Sequence, residues 1–214
     1  MLSFQELSDS FKEHFSKFTF PEQPSSLYDP NRYFLQIGGK RVRPVLCLMG
    51  NELFDSIQPG TWELASAVEL FHNFTLIHDD IMDKAPLRRG METIPKKYGD
   101  NTAILSGDVM LIEAYHLLNR LDKEVIHQVQ HIFSTTAREV CEGQQYDMDF
   151  EKSDHVSLQD YLRMIELKTS VLIAASLKMG AIMGGAGQRN QELIYEFGRK
   201  LGLAFQVQDD YLDA

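Results

Sequence analysis

Asp79-Asp80-Ile81-Met82-Asp83 returns with the same spacing at the end of the chain, as Asp209-Asp210-Tyr211-Leu212-Asp213. In a helix, residues i and i+4 share a face while i+1 lies about 100° away, so each cluster offers two carboxylates in line and a third beside them. Unit charges about 6 Å apart repel by roughly 3 kcal/mol at an effective dielectric of about 20, so stacked carboxylates call for a compensating charge. Oxygen-only ligands suit a hard divalent cation, and Mg²⁺ that leaves part of its shell to phosphate oxygens fits best. An exposed acidic helix face explains one such cluster; two argue for a paired site.

Outward from the clusters the chain reads as all-α. All seven prolines lie between Pro21 and Pro95, and the apolar spacing beyond them is near 3.6. Helices are predicted over 3–18, 27–36, 42–54, 60–83, 101–120, 122–143, 157–180 and 189–213. Ser157 with Asp160 forms an acidic capping box, while Gly180 and Gly184-Gly185-Ala186-Gly187 read as a stop. No alternating pattern is long enough for a strand, and no linker divides the 214 residues, so one domain is expected.

Composition narrows the function. The 43% hydrophobic content is that of a globular protein, and the most apolar stretch, Val171 to Gly187, is broken by Lys178 and reads as a buried helix. The start Met-Leu-Ser-Phe-Gln-Glu lacks a signal peptide's basic and apolar regions. Cys47 and Cys141 lack metal-ligand spacing and read as core thiols in a cytoplasmic protein. A net charge of −10 argues against a nucleic-acid partner, yet Lys40, Arg41, Arg43, Arg88 and Arg89 are grouped beside glycines. That pattern suits small anions.

Gly38-Gly39-Lys40-Arg41-Val42-Arg43-Pro44 joins a flexible turn to three cations ahead of an apolar helix, a phosphate-binding arrangement whose rival reading is a solvated basic turn. Arg88-Arg89-Gly90 follows the first acidic cluster by five residues and is placed to reach the same metal-diphosphate group. His72 lies two helical turns before Asp79 and shares its face, while His78 reads as structural. Gln144, Asp147, Lys168, Thr169 and Gln206 set polar groups in apolar helices, where each needs a partner or a ligand. Phe74 and Phe71 sit five and eight residues before Asp79, one and two turns deeper along its helix.

These residues, in this order, resemble the trans-type isoprenyl diphosphate synthases of the polyprenyl synthetase family. The likeness rests on Gly38–Pro44, the first aspartate cluster with Arg88-Arg89-Gly90, Gly143-Gln144 with Asp147, Lys168-Thr169, and Phe205-Gln206 before the second cluster. It implies an isoprenoid-synthase-type helical bundle around a central cavity, usually homodimeric, with the two acidic motifs facing each other at its mouth. It implies Mg²⁺, three ions to a site, carried by Asp79, Asp80, Asp83 and Asp209, with Asp210 and Asp213 completing the second motif. Lys40, Arg43, His72 and Arg89 are similar to ligands of isopentenyl diphosphate, and Arg88 and Lys168 to ligands of the allylic diphosphate. Thr169 and Gln206 would face the reacting carbons. By the same likeness, Phe74 and Phe71 with small Thr75 form a cavity floor that implies a short product, geranylgeranyl or farnesyl diphosphate.

Family members continue well beyond the point where this chain stops, so C-terminal helices are expected to be missing. Carboxylates in the last turn, against the negative end of the helix dipole, support the same expectation. Met91-Glu92-Thr93-Ile94-Pro95 also departs from the family, placing Glu92 near the anion site. Three rival readings are a class I terpene cyclase, a noncatalytic partner subunit and a generic helical metal-binding protein. The last leaves Lys40, Arg43, Arg88 and Arg89 without a purpose.

Overall fold

The computed structural model describes residues 1–213, Asp213 by its backbone alone; the side chain of Asp213, expected as a metal ligand, lies outside the described residues. Contacts divide the chain into two compact units. One takes in Leu2–Val45 and Trp62–Arg120, the other Leu46–Thr61 and the chain from Leu121 onward.

The first unit begins with α1 (Phe4–Phe15) and α2 (Ser25–Gln36), and holds the start of α3 (Val42–Glu52) and most of α4 (Pro59–Met82). A hairpin of β1 (Leu87–Arg88) and β2 (Met91–Glu92) follows, then α5 (Ile94–Tyr98) and α6 (Asp100–Leu118). At the start of α1, the Ser3 side chain accepts from the Glu6 amide at 3.3 Å and the Glu6 carboxylate accepts from the Ser3 amide at 2.8 Å. Leu7, Phe11 and Phe15 then bury one face of that helix, and α2 and α5 pack on α6.

How α4 ends matters most. Lys84 takes a left-handed φ of 50°, its amide bonds back to the Ile81 carbonyl at 3.3 Å, and the Ala85 amide reaches the Asp80 carbonyl at 3.1 Å. This is a Schellman closure with lysine at the position glycine usually fills. Asp79 and Asp80 therefore stand in the last turn of α4, with Asp83 just beyond it, where the helix dipole opposes their charge.

In the second unit, α7 (Ile126–Phe150), α8 (Leu158–Ile165), a π-turn (Glu166–Ser170), α9 (Val171–Met183) and α10 (Gln188–Asp213) follow one another. The α8, π-turn and α9 segments form one continuous right-handed helix. Its α9 part is buried on almost every side, from Val171 to Ile182, and α10 packs along it. Ser157 caps α8 as expected, accepting from the Asp160 amide at 3.1 Å.

Several boundaries differ from the expectation. α7 runs on to Phe150 rather than ending near 143. Gly180 does not stop its helix; it lies inside α9, where a side chain would collide with the Cys47 carbonyl, and the stop comes after Met183. The β1–β2 pair is too short to show an alternating pattern. Cys47 is buried, but Cys141 is exposed and is not a core thiol. Among the described residues no helix is long and apolar enough to cross a membrane.

Candidate active site

The first group of predicted residues comes together within the first unit. β1 and β2 are joined by Arg89 and Gly90, with φ of 52° and 79°, as in a type I′ turn. The hairpin is tied down by a Tyr33 hydroxyl that donates to the Glu92 carbonyl at 2.9 Å and a Thr93 hydroxyl that donates to Ala85 at 2.6 Å. The Glu92 side chain is exposed. This anchoring turns Arg88 back on the end of α4. Its Nε lies 2.9 and 3.0 Å from the two oxygens of buried Asp80, and its Nη2 lies 2.8 Å from one of them. Burial raises the Asp80 carboxyl, and Arg88 opposes the rise. Asp79 is half-buried and Asp83 exposed.

Arg89 donates to the Gly38 carbonyl, and its guanidinium fills the space a side chain at Gly39 would need, with Nη1 2.6 Å from that position. The two glycine-flanked basic segments thus meet. Of the three cations in the first segment, Arg41 is not available to an anion: it pairs with Glu69, both side chains being buried, and lies over the Phe15 ring. Lys40 is exposed. Arg43 Nη1 donates to His72 Nε2 at 3.1 Å, so that ring nitrogen is an acceptor and the proton sits on Nδ1. Burial, then the charges of Arg43, Arg89, Arg88 and Arg41, hold His72 well below the usual imidazole range. Arg43 itself falls to about 10, through burial that Glu69 opposes. Four guanidiniums therefore act on one neutral histidine, with Glu69 and Asp80 as their paired carboxylates. Phe74 and Phe71 pack with ring centres 5.7 Å apart, and Thr75 turns its hydroxyl to the His72 carbonyl at 2.8 Å.

The second group assembles within the other unit around the π-turn. Lys168 pairs with Asp147 of α7. The Thr169 hydroxyl donates to Gln206 Oε1 at 3.0 Å, and Gln206 Nε2 donates to Asp210 at 2.8 Å. The other Asp210 oxygen accepts from the Tyr161 hydroxyl, which burial and then this bond push up to about 12. One polar chain thus links α8, the π-turn and α10. Two glycines let the backbones close on the turn: a Cβ at Gly143 of α7 would overlap the Lys168 amide, and one at Gly202 of α10 would stand 2.6 Å from Ser170 Cα. Asp209 is exposed, and Gln144 Oε1 is buried with no hydrogen-bond partner among the described residues. Sequence reasoning missed Tyr161, which shares a helical stripe with Leu158, Leu162 and Ile165 in α8 and so reads as core. It also missed the π-turn, whose residues carry no local signal.

The polyprenyl synthetase family profile matches residues 24–214. Over 193 residues the chain is 44% identical to the geranylgeranyl diphosphate synthase of Methanosarcina mazei, covering 89% of this chain and 60% of that one. Over 196 residues it is 40% identical to the short chain isoprenyl diphosphate synthase of Methanocaldococcus jannaschii, covering 91% and 60%. A crystal structure of geranylgeranyl pyrophosphate synthase superposes with a TM-score of 0.96 at 52% identity, covering all of this chain and 65% of the other. That of the Pyrococcus horikoshii geranylgeranyl pyrophosphate synthetase gives 0.93 at 36% identity, covering 98% and 66%. The chain thus spans about three fifths of the length of the curated relatives it matches. With a profile match across nine tenths of its residues and the site's basic and acidic segments in place, the chain belongs to the polyprenyl synthetase family.

Proposed function

We propose that the protein is a prenyltransferase that joins isopentenyl diphosphate to an allylic diphosphate, giving a short-chain trans-prenyl diphosphate, geranylgeranyl or farnesyl. The observation that carries this is the grouping of Arg43 on His72, Arg89 on Gly38 and Arg88 on Asp80 along and beside α4, a concentration of cations in a protein of net charge −10. Such a site needs an anion that brings its own cation.

The residues present fit Mg²⁺. Among the described residues no three ligand side chains form a closed cage; Mg²⁺ is commonly held by one or two carboxylates, with phosphate and water oxygens completing its shell. Asp79, Asp80, Asp83, Asp209 and Asp210 are the carboxylates we assign to it, with Asp213 as a further candidate. Arg88 on Asp80, and Gln206 with Tyr161 on Asp210, hold two of these carboxylates in position. Mg²⁺ held there, three ions to a site by the family likeness, would supply charge neutralisation of the diphosphate leaving group.

The chain's own groups do the rest. Lys40, Arg43, Arg89 and the His72 Nδ1–H bind isopentenyl diphosphate. Arg88 and Lys168 bind the allylic diphosphate, and the oxygens of Thr169 and Gln206 stabilise positive charge on the allylic carbons. Phe71, Phe74 and Thr75 limit chain length. Residues 1–214 act as one synthase domain in the cytoplasm. By the same likeness the protein works as a homodimer.

Product analysis tests this: the full chain with Mg²⁺, labelled isopentenyl diphosphate, and dimethylallyl, geranyl or farnesyl diphosphate in turn. An elongated product that Asp79→Ala abolishes is expected. A folded protein that gives none, while still binding allylic diphosphate, would overturn the reading in favour of a noncatalytic subunit. Cyclised product without isopentenyl diphosphate would favour a cyclase.

A further inference from the structure

The middle of α6 meets α4 where Gly107 faces the His78 side chain. A Cβ on Gly107 would overlap His78 at both Cδ2 and Nε2, so that edge of the imidazole abuts the α6 backbone. Nε2 stands 3.2 Å from the Ile104 carbonyl, which requires the proton on that nitrogen, and 3.8 Å from Asp108. The same ring meets Phe74, one turn back along α4, edge to face with centroids 4.7 Å apart and planes at 64°. Phe74 in turn packs on Phe71, which is 1% exposed and part of the core. Gly107, His78, Phe74 and Phe71 therefore form one column. The α6 backbone is its rigid end, and half-buried Phe74 is the member with room to shift.

We propose that Gly107, acting through His78, is a specificity-determining position: it fixes where the Phe74 ring stands and thereby the length of the prenyl chain. This rests on the prenyltransferase reading and on Phe74 as part of the cavity floor. His78 neighbours Asp79 but carries no ligand role; its ring is committed to Ile104 and Phe74. A methyl group at Gly107 has to displace the imidazole, and the displacement runs toward the ring it already touches. Removing the imidazole leaves Phe74 without its outer support, and the floor yields. Close packing makes shifts of this size felt rather than absorbed.

The experiment compares products from the full chain and from Gly107→Ala, His78→Ala and His78→Phe, with Leu64→Ala as a core substitution on α4 outside the column. His78→Ala is expected to lengthen the main product by one isoprene unit, changing the ratio of adjacent chain lengths about tenfold, the scale of small volume changes in apolar pockets. Gly107→Ala should shift the ratio toward the shorter product. His78→Phe, which keeps a ring, should retain the parent distribution, and Leu64→Ala should lower stability alone. If Gly107→Ala does not fold, the two His78 variants decide. Unchanged ratios in variants that still turn over would overturn the proposal. In ¹³C-phenylalanine-labelled protein the Phe74 ring signals should move in Gly107→Ala, and unmoved signals would overturn the positioning role whatever the turnover. A parent protein that makes no prenyl product refutes the prenyltransferase reading and the chain-length claim with it, while the ring signals still decide the positioning.

Discussion

Arg88 holds Asp80 by a three-point contact of 2.8 to 3.0 Å, and the two partners differ sharply in exposure: the arginine side chain is 22% exposed, the carboxylate 1%. Loss of the arginine strands a buried charge, whereas loss of the carboxylate leaves a cation that can turn to water. Arg88→Ala should therefore cost about 3–5 kcal/mol, and Asp80→Asn clearly less. Urea unfolding of the two variants and the double variant measures the difference; equal costs would show that the pair is not buried as described.

Arg41 and Glu69 are the more deeply enclosed pair, at 8% and 4% side-chain exposure. Arg41→Met alone should destabilise by about 3–5 kcal/mol, and adding Glu69→Gln should restore most of the loss. Affinity for isopentenyl diphosphate should change little in the double variant, because Arg41 faces Glu69 rather than the anion pocket. A large rise in KM for that substrate would show that Arg41 serves the anion as well.

His72 gives a pH signature. Its folded pKa is depressed by burial and then by the arginine charges around it, so the unfolded chain binds a proton first on acidification. The stability from neutral His72 is complete above the unfolded value of about 6.5 and is lost as pH falls from there toward the folded value, at up to about 1.4 kcal/mol per pH unit. His72→Gln should remove that part of the pH dependence. Unfolding curves at pH 7.5, 6.5 and 5.5 test it, and parallel losses in parent and variant would count against it.

The π-turn can be probed with two alanines on α10. Gly198 and Gly202 are similarly tight, with Cβ positions 2.7 Å from Ala174 Cα and 2.6 Å from Ser170 Cα. Both substitutions should cost about 1–3 kcal/mol by overpacking. Only Gly202→Ala pushes on the residue next to Thr169, so it alone should lower kcat by tenfold or more, since misplacement near 1 Å has effects of about a hundredfold. Equal melting-point losses with unequal turnover are the expected result; equal turnover would refute a positioning role for Gly202.

Much of this was legible because it depends on local spacing. The end of α4, with its aspartates and the following arginine turn, follows from i, i+4 geometry and a glycine, and the Ser157 cap from residue type alone. Spacing alone did not separate Arg41 from Arg43; the resemblance left Arg41 out of the site, and burial opposite Glu69 is the physical reason. Tyr161 was not legible, because its partner Asp210 is 49 residues away. Helix ends at Phe150 and past Gly180 were missed because tertiary contact decides them, as it does the exposure of Cys141.

The π-turn also acts as a splice. Its wider turn absorbs about one residue more than an α-helix needs over the same path, so α8 and α9 keep their faces in phase on either side of it. Deleting one residue between Glu166 and Ser170 would let the turn close into a regular helix with Tyr161 and the buried α9 still seated. What it would remove is the bulge that carries Lys168 and Thr169, so the length of this segment matters more to the site than to the fold.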